Sequence, residues 1–174
     1  MRQRVLNTVA AMVVAAPTVM TVGLPAAGAD GPTGSGGASG AGGATIMSFA
    51  QTYRRCDFSA NTHTGPTSNG RPLAFVRRTG SEVVADVQIN TVLPNFPYDV
   101  RLIQMTRSSA TTCNPGDPGV SGAVLFTDPV GAGNVTIRGP IASGATGVWL
   151  YITRPGEFSQ TPDEFYTTDF VAPI

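Results

Sequence analysis

VVADVQINTV, residues 83–92, is the stretch that decides the fold of this chain. Its odd-numbered residues are apolar or Thr, and Asp86, Gln88 and Asn90 stand between them. Because successive side chains of a β-strand point to opposite faces, this alternation predicts a strand with one buried face and one face in water. An amphipathic helix would repeat its apolar residues every third or fourth position instead.

The next segment, residues 98–102, repeats the alternation with Asp99 and Arg101 on the outward face. Residues 94–97 (PNFP) predict a turn between the two segments. We therefore expect segments 83–92 and 98–102 to pair as an antiparallel hairpin.

Further short strands follow the same pattern to the end of the chain. Residues 120–127 and 134–138 flank a Gly- and Pro-containing turn, which predicts a second hairpin. Other strands are expected at 46–53, 73–77, 147–153 and 164–171. About eight short strands without a helical stripe predict an all-β domain, and we expect an antiparallel β-sandwich, with a barrel as the alternative.

The N-terminal segment has the pattern of an export signal. Arg2 and Arg4 precede an apolar stretch at 5–24, and the small residues Ala27, Gly28 and Ala29 follow it. This order predicts a signal peptide at residues 1–29 that is cleaved after Ala29, so we expect a secreted protein. A retained membrane anchor is the alternative, although Pro and Gly residues weaken such a helix.

Residues 30–44 are rich in Gly and predict a flexible linker. The remainder, residues 45–174, has the length of one domain. Without Arg2 and Arg4 the chain keeps nine arginines against eleven acidic residues, and it has no lysine. A nucleic-acid partner would require a basic surface, which this composition excludes.

Two cysteines, Cys56 and Cys113, are the only ones in the chain. Export would place them where thiols oxidise, so we expect a structural disulfide that ties the N-terminal part of the domain to the sheet. A metal or catalytic pair is the alternative, but Cys-x-x-Cys is absent and His63 is the only histidine. We therefore expect no metal and no cofactor.

Several stretches of the domain share a family pattern. They are residues 85–87 (ADV), residues 98–104 (YDVRLIQ), Cys113, residues 125–128 (LFTD) with Gly131 and Gly133, and residues 165–171 (FYTTDFV). Together they resemble small exported actinobacterial proteins of uncharacterised function. The resemblance implies an immunoglobulin-like β-sandwich and export, and it transfers no active site. Cys113 departs from antibody-type domains, because it lies in a TCNPG loop rather than in a strand.

Groups suited to catalysis are sparse. His63 stands in a polar loop, and no Gly-x-Ser-x-Gly elbow presents a nucleophile. Asp163 and Glu164 are adjacent and would point to opposite faces of a strand, whereas a glycosidase needs two carboxylates across a cleft. Asp117 and Asp128 lie in loops without the spacing of a calcium loop, and Asp128 is typical of a turn.

Residues 147–153 (GVWLYIT) form the best predicted recognition surface. Trp149 and Tyr151 share one face of this strand, and aliphatic side chains share the other. If the aromatic face is exposed, it would stack on a sugar ring or a peptide. The alternative is that both aromatic side chains are buried. The predicted ligand-binding set is Trp149, Tyr151, Arg101, Arg138 and Asp86.

These features predict a secreted, non-catalytic protein with a binding or structural role at the cell envelope or outside the cell. Its partner would be an envelope glycan or a protein, and no membrane span would remain after cleavage. Two alternatives stay open. One is a carbohydrate-binding module that uses Trp149 and Tyr151, and the other is an envelope-glycan hydrolase that uses Asp and Glu side chains.

Overall fold

Nine antiparallel strands and no helix make up the computed structural model, which describes residues 43–62, 68–156 and 161–174. The predicted signal peptide, the linker up to residue 42 and His63 lie outside the described residues. The strands are β1 (Thr45–Ala50), β2 (Leu73–Thr79), β3 (Glu82–Ile89), β4 (Pro97–Met105), β5 (Val120–Phe126), β6 (Gly133–Pro140), β7 (Gly147–Arg154), β8 (Glu164–Thr168) and β9 (Ala172–Pro173). The predicted all-β antiparallel fold of about eight strands is confirmed.

The strands follow the order β5-β4-β7-β8-β1-β2-β3-β6, and β9 pairs with β7. The sheet has two halves, one formed by β5, β4, β7 and β8 and the other by β2, β3 and β6, and β1 joins them. Thr45 to Ser48 of β1 pair with β2, whereas Phe49 and Ala50 pair with β8. The edge strands β5 and β6 lie side by side without a ladder between them, so the sheet is nearly closed into a barrel.

The core lies between the two halves and follows the alternation of the sequence. In β3, Val83, Ala85 and Val87 face the core, and Asp86 and Gln88 face outward, as predicted. Aliphatic side chains of β4 and β7 meet them from the other half. The largest fully buried side chains of this core include Tyr98, Tyr166, Met47, Ile89, Leu102, Leu125, Leu150 and Ile152.

Both predicted hairpins are wrong. β3 pairs with β2 and β6, and β4 pairs with β5 and β7, so neither β3 with β4 nor β5 with β6 forms a ladder. The two connections cross from one half to the other at the same end of the molecule. They are hydrogen-bonded to each other there, from Val92 N to Gly131 O at 3.3 Å and from Asn95 N to Asp128 O at 3.2 Å.

A side-chain amide closes the gap between β4 and the end of β6. Gln104 is 3% exposed, and its Nε2 donates to Pro140 O at 2.8 Å while its Oε1 accepts from Ala142 N at 2.8 Å. We call this contact between β4 and the end of β6 the seam. Beside it, β5 and β6 approach each other closely, because a Cβ on Gly139 would lie only 2.3 Å from Ser121 Oγ. The amide of Gln104 therefore pairs with part-buried backbone groups at and just after the end of β6.

Candidate functional site

The predicted aromatic pair of β7 is buried. Trp149 is 0% exposed and Tyr151 is 8% exposed, although both point away from the main core. They form a second apolar cluster with Ile103, Val120 and Phe165 on the outer face of β4, β7 and β8. The alternation predicted the two faces of β7 correctly, but the condition for ligand stacking, an exposed aromatic face, is not met.

A short segment after β1 covers this face, and we call residues 51–62 the strap. It folds back on itself through the bridge between Arg54 and Ala60 and the 2.7 Å hydrogen bond from Asn61 N to Tyr53 O. Phe58 of the strap packs edge-on against Trp149, with ring centroids 5.5 Å apart. The strap therefore covers the apolar side chains on the outer face of β7.

A disulfide holds the strap in place. Cys56 in the strap is bonded to Cys113 in the loop between β4 and β5, with the two Cα atoms 5.6 Å apart. The predicted disulfide is therefore confirmed. Because Cys113 also packs against the second apolar cluster, the bond joins the strap to the surface that it covers.

The predicted binding set is divided between the two halves. Asp86 and Arg138 lie on the outer face of β3 and β6, whereas Arg101 and Tyr151 lie on the outer face of β4 and β7. Asp86 accepts hydrogen bonds from Thr136 and from Arg77, and these two contacts, the first more than the second, hold the pKa of its carboxyl below the ordinary value. The structure does not bring the five predicted residues into one site.

A cleft with a volume of about 600 Å³, which the sequence did not predict, lies at the end of β4. Its walls are the end of β4 with the β4–β5 loop on one side and the β6–β7 loop on the other. We call it the loop cleft. Its polar lining residues include Gln104, Thr106, Arg107, Ser108, Thr111, Thr112, Asp117 and Ser143.

Arg107 and Asp117 hold the wall of the loop cleft in shape. Arg107 donates from Nη2 to Thr112 O at 2.6 Å and from Nη1 to Pro118 O. Asp117 accepts through Oδ2 from Thr112 Oγ1 at 2.7 Å and from Asn114 N at 2.8 Å. These hydrogen bonds lower the pKa of Asp117, and the nearby Arg107 charge lowers it further. Together with the disulfide at Cys113, they make the cleft pre-formed.

Polar groups remain available in this cleft. Asp117 Oδ1 and the hydroxyls of Thr106 and Ser143 have no hydrogen-bond partner among the described residues. Arg107 uses two of its five N–H donors for the carbonyls of its own loop. The cleft therefore presents an acceptor, a cation and hydroxyls to a polar ligand.

The carboxylates considered for hydrolysis are placed differently from the prediction. Asp163 precedes β8, so Asp163 and Glu164 do not alternate along the strand. Both bind Arg154 instead, at 2.9 Å from Nη1 and 3.3 Å from Nε. Glu164 is 4% exposed and accepts hydrogen bonds from Tyr98 at 2.7 Å and from Tyr166. This carboxylate belongs to a buried network rather than to an open cleft.

Asp128 forms a turn, as the sequence predicts. Its Oδ1 accepts from Val130 N and Ala132 N, both at 2.9 Å. Within residues 43–62, 68–156 and 161–174, no three His, Cys, Asp or Glu side chains come together as metal ligands. In the same ranges, no helix has the length and apolar character to cross a membrane.

Dense Gly, Pro, Ser and Thr residues were the only sequence signal for the loop cleft, and such residues are equally typical of ordinary loops. Comparison with known proteins adds no further assignment. No protein-family model, curated protein or solved structure matches this chain.

Proposed function

We propose that this chain is an exported, non-catalytic binding protein of the cell envelope, and that the loop cleft holds a polar, hydroxyl-rich ligand such as a saccharide unit of an envelope glycan. The observation that carries the proposal is a pre-formed cleft of about 600 Å³ with Asp117 and Arg107 fixed in its wall. Ligand sites are commonly concave, largely pre-formed and provided with a few oriented polar groups.

The chemistry of the lining favours a saccharide. Asp117 Oδ1 would accept a hydroxyl proton, and the remaining N–H groups of Arg107 would donate to a ring or hydroxyl oxygen. Met105, Pro118 and Ala142 supply apolar surface for the carbon face of a sugar. The proposed ligand is held by hydrogen bonds and apolar contact, with no cofactor and no nucleic acid.

Export and family belong to the same proposal. The arginines, apolar stretch and small residues of positions 1–29 support secretion. The disulfide between Cys56 and Cys113 supports an oxidising compartment. The immunoglobulin-like type and the actinobacterial kinship depend on the strand and turn patterns quoted above.

Binding has more support than hydrolysis at this cleft. Among the described residues that line it, Asp117 is the only carboxylate, whereas glycosidases of the common kind use a pair about 5–9.5 Å apart. Glu164 and Asp163 are held by Arg154 elsewhere. The hydrolase alternative therefore lacks a second carboxylate in the cleft.

A variant that fills the cleft tests the proposal. Ser143 is exposed on the cleft wall, so Ser143→Trp would block it without removing the contacts of Arg107 or Asp117. Retention on purified peptidoglycan and affinity for soluble N-acetylglucosamine oligomers would be measured by co-sedimentation and calorimetry. We expect Ser143→Trp to weaken binding by about tenfold or more.

Asn134→Trp is the matched control, because Asn134 is exposed on β6 and does not line the loop cleft. It should bind as the unmodified protein does. Equal binding by Ser143→Trp, or no binding of either glycan by the unmodified protein, would overturn the assignment of a saccharide to this cleft.

A further inference from the structure

A second, smaller depression lies beside the strap on the outer face of β4 and β7. Its volume is about 320 Å³, and it shares no lining residue with the loop cleft. We call it the notch. Its side-chain walls include Tyr53, Asp99, Arg101, Asn114, Tyr151 and Thr153.

Two opposite charges face the notch without pairing. Asp99 and Arg101 stand two positions apart on β4, so their side chains lie on the same outward face. The three ion pairs found among the described residues do not include either of them. The half-buried Asp99 carboxylate also has no hydrogen-bond partner in the described part of the chain.

The guanidinium of Arg101 is held at one end of the notch. Its Nη1 donates to Cys113 O at 3.2 Å, and its central carbon lies 6.0 Å from the centre of the Tyr151 ring. Its Nε is buried without a hydrogen-bond partner. An anionic acceptor would stabilise this guanidinium, either by accepting from the buried Nε or by accepting from the neighbouring Nη groups.

One wall of the notch is aromatic, and another is formed by residues 155–156 and 161–162 of the connection between β7 and β8. Tyr53 packs edge-on against Tyr151, with ring centroids 6.2 Å apart. Tyr53 also packs edge-on against Phe165, with ring centroids 5.2 Å apart. Asn114 adds an amide that both donates and accepts.

We propose that the notch binds the zwitterion of a free α-amino acid, with its carboxylate on Arg101, its ammonium on Asp99 and its side chain against the tyrosine rings. Asp99 and Arg101 stand about 6.7 Å apart along β4. At this spacing, each side chain can form a charge-assisted hydrogen bond with one end of the same zwitterion.

The pairing of charges also defines what the notch rejects. A ligand with a carboxylate alone would leave Asp99 partly desolvated and unpaired, and an amine alone would do the same to Arg101. Such unpaired charges oppose binding, so the notch selects ligands that carry both groups. This inference goes beyond the proposed glycan binding and concerns a separate surface.

Phenylalanine and its two blocked derivatives test the inference. The probes are L- and D-phenylalanine, phenylalaninamide, which lacks the carboxylate, and N-acetylphenylalanine, which lacks the ammonium group. Binding would be followed by calorimetry and by amide chemical shifts of the full mature chain. We expect at least one free enantiomer to bind about tenfold or more tightly than either derivative, with shifts centred on Asp99, Arg101 and Tyr151.

Two variants assign the contacts to their groups. Asp99→Asn should weaken the affinity for free phenylalanine by about tenfold and leave the affinity for N-acetylphenylalanine unchanged. Arg101→Gln should also weaken the affinity for free phenylalanine by about tenfold, and it should leave the affinity for phenylalaninamide unchanged. Glu82→Gln, which removes a carboxylate from the other half of the sheet, is the matched control and should change nothing. Since Arg101 also bonds Cys113 O, Asp99→Asn is the decisive variant if Arg101→Gln is unstable.

Several results would overturn the inference. They are equal affinity for phenylalanine and N-acetylphenylalanine, unchanged affinity in Asp99→Asn, or shifts that avoid the notch. Unchanged glycan binding in Ser143→Trp, which would overturn the glycan proposal, would not affect these outcomes, so the two proposals fail separately.

Discussion

Phe58 covers the indole of Trp149 edge-on, with ring centroids 5.5 Å apart. Trp149 is the only tryptophan of the chain, and its Nε1 is buried without a hydrogen-bond partner. Because Phe58 belongs to the strap and Trp149 to β7, the indole fluorescence reports whether the strap is closed. Because the disulfide attaches the strap to the domain, the Trp149 fluorescence also reports the effect of breaking the disulfide.

Removal of the disulfide should loosen the strap. In the double variant Cys56→Ser/Cys113→Ser we expect the free energy of unfolding to fall by about 4 kcal/mol, since the unfolded chain regains the freedom of the open loop. The Trp149 emission should shift to longer wavelength because water reaches the indole. Chemical denaturation and emission spectra check both expectations. Phe58→Ala is the control that uncovers Trp149 with the disulfide intact, and unchanged emission in both variants would contradict the role of the strap.

Gln104→Leu should weaken the seam between β4 and β6. The substitution leaves the part-buried Pro140 O and Ala142 N without their partner, and the loss of each hydrogen bond of this kind costs about 0.5–1.5 kcal/mol. Urea unfolding measures the loss. The matched control is Gln88→Leu, because Gln88 is exposed on β3 and its side chain has no hydrogen-bond partner among the described residues. Equal stabilities of the two variants would show that the amide of Gln104 does not hold the seam.

Alkaline pH should destabilise the fold above pH 10. Burial, followed by the hydrogen bond to Glu164, raises the pKa of Tyr166 to about 12, and burial also raises the pKa values of Tyr98 and Tyr151. Near pH 10 these phenols ionise in the unfolded chain but stay protonated in the folded one. The unfolded state then binds fewer protons, so stability is fully present below pH 10 and falls as the pH rises towards 12.

The expected slope is at most about 1.4 kcal/mol per pH unit for each of these tyrosines. Urea unfolding between pH 9 and 11, together with tyrosinate absorbance of the folded protein, measures it. Tyr166→Phe should make the slope shallower by the share of one tyrosine. A stability that does not change over this interval would contradict the raised pKa values.

Processing of the precursor should occur after Ala29. Protein recovered from the medium of a secreting host is expected to begin at Asp30, which intact mass measurement and N-terminal sequencing determine. Ala29→Arg should block the cut, because signal peptidases require a small residue there. Ala38→Arg in the Gly-rich segment is the control and should be processed normally. An unprocessed, membrane-bound product of the unmodified chain would support the anchor alternative instead.

Local alternation predicted what each strand buries but not which strand it meets. The outward positions of Asp86, Gln88, Asp99 and Arg101 follow from the two-residue period and are observed. The pairing of β3 with β4 was wrong, because adjacency in the chain favours a hairpin only when the connection is about 2–5 residues long. The connection at 90–96 is longer and crosses between the two halves instead.

The cover over Trp149 could not be predicted for a related reason. Its neighbours in β7 define the face on which the indole lies, but Phe58 comes from a segment far away in the sequence. The two cysteines predicted a bond, and the bond marks where that segment is attached, yet nothing local indicates that it lies over an aromatic cluster. The loop cleft was missed because its shape depends on Arg107 and Asp117 bonding to carbonyls, amides and hydroxyls of their own loop.

The division of β1 between two partners has a consequence for the order in which the chain matures. Its last two residues, Phe49 and Ala50, pair with Thr168 and Thr167, which come much later in the sequence. The ladders of β1 with β2 and of β2 with β3 join neighbouring segments and can form while later strands are still being synthesised. The ladder of β1 with β8 joins distant segments, so we expect it to form late in folding, after β8 has been synthesised.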